Sequence, residues 1–175
     1  MDYAPEYYKK KTLVLGCGSV LFGDDGFGPA VIEYIENHCR VPSYAAVLDI
    51  GTGVRELLFN IIVSDKRPEI IVVVDALDCG REPGEVFLAS IEEIPENKIN
   101  DFSLHLMPTL NMLKELRDLC NVKVVIVAAQ PKYIPDKAEG GLSKEIEGAI
   151  EKAACFISEN YFKKKEIKKE IKKEI

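Results

Sequence analysis

Residues 69–77, EIIVVVDAL, constrain the fold more than any other stretch of this chain. Isoleucines and valines fill positions 70–74 without a polar residue among them. A strand buried on both faces reads this way, because helices cover both sides of a parallel sheet. Asp75 interrupts the run near its C-terminal end. A carboxylate there is costly to bury unless it is paired or holds a cation. Asp75 is therefore a candidate functional residue, with Asp78 in the following turn a weaker one. Further strands are predicted at 12–15, 45–50 and 122–129, and helices at 29–35, 54–63, 103–119 and 143–162. Residues 85–90 read as an antiparallel edge strand. Strands alternating with helices through short turns predict an α/β fold. It is doubly wound, with a mostly parallel twisted sheet, one antiparallel edge strand and helices on both faces. A single domain over 1–162 is expected, followed by a lysine-rich helical or disordered tail over 163–175.

The first strand runs into Gly16-Cys17-Gly18-Ser19-Val20-Leu21-Phe22-Gly23-Asp24-Asp25-Gly26-Phe27-Gly28. In an open α/β sheet, ligands bind beyond the C-terminal ends of the strands, and this loop lies there. Gly16 and Gly18 begin a dinucleotide fingerprint, but Leu21 stands where its third glycine belongs. Asp24 and Asp25 would repel a pyrophosphate, so they point to a cation; capping of the next helix is the simpler role for either. Asp49, at the end of the second strand, suits a ribose hydroxyl or a turn. His38 falls in a last helical turn, where the dipole favours it. His105 falls in a first turn, where the dipole favours the neutral imidazole that a metal needs; packing or capping is its alternative role. Asp25, Asp75 and His105 can converge on the rim of the sheet. Two carboxylates and an imidazole suit nickel, zinc or manganese, with positions left open.

The five cysteines form no CxxC pair, which fits reduced thiols in the cytoplasm rather than a disulfide frame. Cys17, inside the loop, is a candidate nucleophile without a visible basic partner. Residues 1–11 lack the apolar core of a signal peptide, and no apolar run has the length of a membrane span. The net charge is −6, and the tail carries +4 of its own, leaving −10 on the body. So acidic a body argues against nucleic acid as partner. No membrane partner is expected either, and a monomer would suffice.

Taken together these motifs resemble the hydrogenase maturation endopeptidases. The resemblance rests on Gly16-Cys17-Gly18-Ser19, Leu21, Asp24, Asp25 and Gly28, then Asp49-Ile50-Gly51-Thr52, Asp75-Ala76 and His105, in that order over residues 12–160. Ser19 departs from the family's usual asparagine, and Asp25 stands where relatives often carry glutamate. The resemblance implies a protease that trims the C-terminal extension of a nickel–iron hydrogenase large-subunit precursor. It places the catalytic and metal-contacting residues at Asp25, Asp75 and His105. The ion would be nickel brought by the substrate, and no separate cofactor is implied. The Gly-Asp-Asp-Gly-Phe-Gly and Gln-Pro-Lys segments resemble the archaeal, methanogen branch serving the deazaflavin-reducing hydrogenase. Two alternatives are a nucleotide- or cofactor-binding protein and a nickel-handling chaperone without hydrolysis. No Ser–His–Asp or HExxH arrangement offers another protease chemistry.

Overall fold

The computed structural model describes residues 6–92, 94 and 106–163. The strands are β1 (Thr12–Cys17), β2 (Ala45–Gly51), β3 (Ile70–Ala76), β4 (Val86–Ala89) and β5 (Lys123–Ala129). The principal helices are α1 (Phe27–His38), α2 (Val54–Val63), α3 (Leu106–Asp118) and α4 (Lys144–Ile157). The strand order is β2-β1-β3-β5-β4, and only the β4–β5 pair is antiparallel. This is the doubly wound sheet that the alternating pattern predicts. Chain direction across the sheet reverses between β1 and β3, so the crevice of such folds opens at their C-terminal ends.

The apolar run of β3 is explained by a core on each side. Leu13, Leu15, Ile71 and Val73 pack with α2 and α3. Val14, Val72 and Val74 pack with α1 and α4 on the other side. Strand side chains alternate between faces, so a strand covered twice must be apolar at every position. By the same alternation Asp75 lies on the α2/α3 side, as does Cys17.

Strand and helix boundaries mostly differ from the expectations by a residue or two at each end. Helix α1 starts earlier than residue 29 because Phe27 is fully buried and Gly28 lets the helix press onto the sheet. A Cβ on Gly28 would collide with the backbone of Cys17 and the carbonyl of Val74. The last predicted helix is α4 followed by a π-helical turn, Ser158–Phe162. The predicted start of α3 at residue 103 and the tail from 164 onward lie outside the described residues. Among those described, no helix is long and apolar enough to cross a membrane, and no disulfide joins the five cysteines.

Candidate active site

β1 leaves the sheet at Gly18, whose φ of +107° only glycine adopts without strain. The chain then turns back on itself: the Phe22 amide donates to the Ser19 carbonyl at 3.1 Å and the Asp25 amide to the Phe22 carbonyl at 3.1 Å. Ser19 also stiffens the loop with its side chain, since its Oγ accepts from the Leu21 amide at 3.3 Å. The hydroxyl thus takes up a hydrogen bond within the loop. A short 3₁₀ turn, Gly23–Gly26, carries both aspartates to the start of α1.

Neither aspartate caps the helix. Gly26 is the N-cap of α1, with no side-chain bond. Asp24 is 1% exposed and turned inward, where it binds residues 132, 133 and 143. Asp25 is half-buried, and its Oδ2 accepts the Ser19 amide at 2.7 Å. The capping role therefore fails for a geometric reason: one carboxylate is used to tie loops and the other to close its own turn.

Asp75 is buried at the end of β3, 7% exposed. Its Oδ1 accepts the Ala76 amide at 2.8 Å. Burial first, and then the negative charge of Asp25, push its pKa up to about 8; the Ala76 amide pulls it back only in part. The Asp25 charge thus acts on Asp75 near the C-terminal ends of β1 and β3. His105, the third predicted group, lies outside the described residues. It immediately precedes Leu106, the first residue of α3, which packs on the Asp75 side of the sheet. Among the described residues no three acidic, histidine or cysteine side chains gather as a metal site.

Three further expectations are settled by local geometry. Cys17 is buried, and burial together with the charges of Asp75, Asp25 and Asp49 holds its thiol well above its ordinary pKa. A nucleophilic thiolate needs the opposite environment, so that role is overturned. Asp49 is exposed, and its Oδ1 accepts the Gly51 amide at 3.1 Å, which is a turn role. His38 Nδ1 meets the Tyr34 carbonyl at 3.0 Å in the last turn of α1, where its ring stacks on Tyr34.

The dinucleotide geometry is also absent. In a phosphate-binding loop the missing Cβ makes room for the ligand. Here a Cβ on Gly18 would strike the carbonyl of Asp25, so the chain itself occupies that room. Two features had no reading in the sequence. One is the inward role of Asp24. The other is a groove of about 490 Å³ beside the loop, lined by Val20, Pro29, Glu33, Glu36, Asp49 and Leu142 among others. Only the spacing of Glu33 and Glu36 on one helix face hinted at it.

Comparison with known proteins identifies the family. The family model described as "Hydrogenase maturation protease" matches residues 29–160, a span that includes Asp75 and His105 and begins just past Asp25. A Methanocaldococcus jannaschii protein, assigned by name to the hydrogenase maturation proteases, is 36% identical over 151 residues, covering 85% of this chain and 95% of its own. The "Coenzyme F420 hydrogenase subunit delta" of Methanothermobacter thermautotrophicus is 32% identical over 154 residues, covering 86% and 94%. Among solved structures, the hydrogenase maturating endopeptidase HybD of Escherichia coli superposes with a TM-score of 0.69 at 27% identity, over 84% of this chain and 89% of its own. A protease family sets aside both the cofactor-binding and the chaperone alternatives. By this family match and these relatives, the chain belongs to the hydrogenase maturation proteases, and it is an endopeptidase.

Proposed function

We propose that this protein removes the C-terminal extension of a nickel-loaded precursor of a nickel–iron hydrogenase large subunit, in the cytoplasm. It recognises the nickel held by that precursor through Asp25, Asp75 and His105. The observation that carries the reading is the pair Asp25 and Asp75: two carboxylates at the β1–β3 crevice, one of them buried, whose charges disfavour each other. Such a pair is unfavourable for an empty protein and favourable for a site that receives a divalent cation. The imidazole of His105 would complete a mixed oxygen and nitrogen donor set that suits nickel.

With the nickel seated, the scissile peptide lies at the same crevice. Its backbone is held against the Ser19–Leu21 loop and the groove beside it. The acidic side chains of Glu33, Glu36 and Asp49 line that groove and favour a basic residue in the substrate. A carboxylate released from proton binding can then serve as general base for the attacking water. The relative named for the coenzyme F420 hydrogenase supports a deazaflavin-reducing hydrogenase of a methanogen as the client.

The test is cleavage of a nickel-loaded precursor, read by mass spectrometry, with the parent protein and with Asp25→Asn, Asp75→Asn and His105→Ala. The parent shortens the precursor, and each variant leaves it intact over the same time. Variants that cut at the parent's rate would overturn the assignment.

A further inference from the structure

Asp24 and Asp25 are adjacent in sequence and take up different tasks. We propose that Asp24 is a positioning residue for cleavage: its carboxylate fastens the β1–α1 loop to the β5–α4 loop and so holds Asp25 toward Asp75. This rests on the reading of Asp25 given above.

The anchor is built from both loops. Asp24 Oδ2 accepts the amides of Lys132 at 2.7 Å and Tyr133 at 2.9 Å. Its Oδ1 accepts the amide of Ser143 at 2.7 Å. The Ser143 hydroxyl donates to Oδ2 at 3.0 Å, and the same Oγ accepts from the Ile146 amide as the N-cap of α4. Backbone bonds follow the same seam: the Gly23 amide donates to the Glu139 carbonyl, the Asp24 amide to the Tyr133 carbonyl, and the Glu139 amide to the Leu21 carbonyl. The seam is tight. A Cβ on Gly23 would come within 2.8 Å of the Tyr133 carbonyl oxygen and 2.9 Å of Pro135 Cδ.

The loop needs such an anchor because its own tip buries little. Val20 is 61% exposed and Leu21 58% exposed, so apolar burial cannot hold it. Its internal bonds fix its shape but not its placement against β3. A desolvated carboxylate with four donors supplies placement, since each bond is charge-assisted and directional. Asp25 follows in the next position of the same 3₁₀ turn, so a shift of Asp24 carries Asp25 with it. Displacement of a reacting group by about an ångström is enough to cost a large factor in rate.

Two readouts test this. The Ser19 amide donates to Asp25, so its hydrogen exchange, followed by NMR against the amides of β1, reports where Asp25 sits without any catalysis. In Asp24→Asn, Ser19 exchange accelerates by about tenfold or more while the β1 amides stay protected. The kcat for the nickel-loaded precursor falls by about tenfold or more with KM within about twofold. Ser143→Ala gives smaller changes in the same two quantities, and Ser143→Thr, which keeps the hydroxyl, restores both. If Asp24→Asn fails to fold, the two Ser143 variants decide. Parent-like Ser19 exchange in a folded Asp24→Asn, or in Ser143→Ala where that variant decides, overturns the proposal. Fast Ser19 exchange with undiminished cleavage would overturn the role in cleavage too, leaving a structural anchor and removing Asp25 from the cleavage site, which is the failure of the reading above.

Discussion

Two buried carboxylates in this protein, one in the β1–α1 loop and one at the end of β3, have opposite environments. Asp24, 1% exposed, is surrounded by donors from the backbone and from Ser143. Asp75, 7% exposed, has among the described residues one hydrogen-bond donor, the Ala76 amide, and a neighbouring negative charge in Asp25. Burial alone does not tell a structural acid from a functional one. Among the described residues the donor count differs: four donors meet the Asp24 carboxylate and one meets that of Asp75. The groups that a protein leaves incompletely compensated in a crevice are where its chemistry is to be sought.

The largest expected effect separates the two by activity. Asp75→Asn lowers cleavage of the nickel-loaded precursor by about 100-fold or more, a loss of the size that follows removal of a group contacting a metal or its ligands. Circular dichroism should show the variant folded, since amide and carboxylate have the same shape. If Asp75→Asn cuts normally, the comparison is broken at its functional end.

Stability should move in opposite directions. Asp24→Asn places an amide donor against backbone donors in a desolvated seam, and it should cost about 2–4 kcal/mol in urea unfolding. Asp75→Asn should be stabilising above pH 8. The sign follows from the raised pKa of Asp75, from 3.8 to about 8. In the folded chain Asp75 keeps a proton that the unfolded chain releases above about pH 4. The parent therefore loses stability as pH rises between about 4 and 8, and the loss is complete above 8. The variant cannot ionise at this position and escapes that loss. At pH 9 it should exceed the parent by about 1–3 kcal/mol, and the difference should shrink toward pH 5. A difference independent of pH would contradict the environment assigned to Asp75.

The smallest effect concerns the groove. Glu33→Gln and Glu36→Gln should each raise KM for the precursor by about two- to fivefold and leave kcat alone, since exposed charges act weakly and through encounter. The increase should disappear at high salt. A change confined to kcat would place these residues in the reaction rather than beside it.

The fold was legible because its signals were redundant. The run at 70–74 demanded a strand covered on both faces, and α2 was predicted with the bounds it has, Val54–Val63. The edge strand was legible in the same way, since Val86–Ala89 is short, follows a Pro-Gly turn and pairs antiparallel with β5. Asp75 stood out because a charge inside that run is anomalous. Asp24 was not legible. Its partners lie more than 100 residues away and are mostly backbone amides, which leave no trace in side-chain pattern. Cys17 follows the alternation of β1 into the core, which fits a buried thiol rather than the nucleophile that its loop position raised.

The account depends on the rim acids gripping a cation that arrives with the substrate. The most direct measurement is the affinity of the protein for nickel-loaded and nickel-free forms of the same precursor, by titration calorimetry, for the parent and for Asp25→Asn and Asp75→Asn. The account predicts that the parent prefers the loaded form by about tenfold or more and that each variant loses this preference while still binding the nickel-free form. Equal binding of both forms by the parent, or an undiminished preference in the variants, would contradict it.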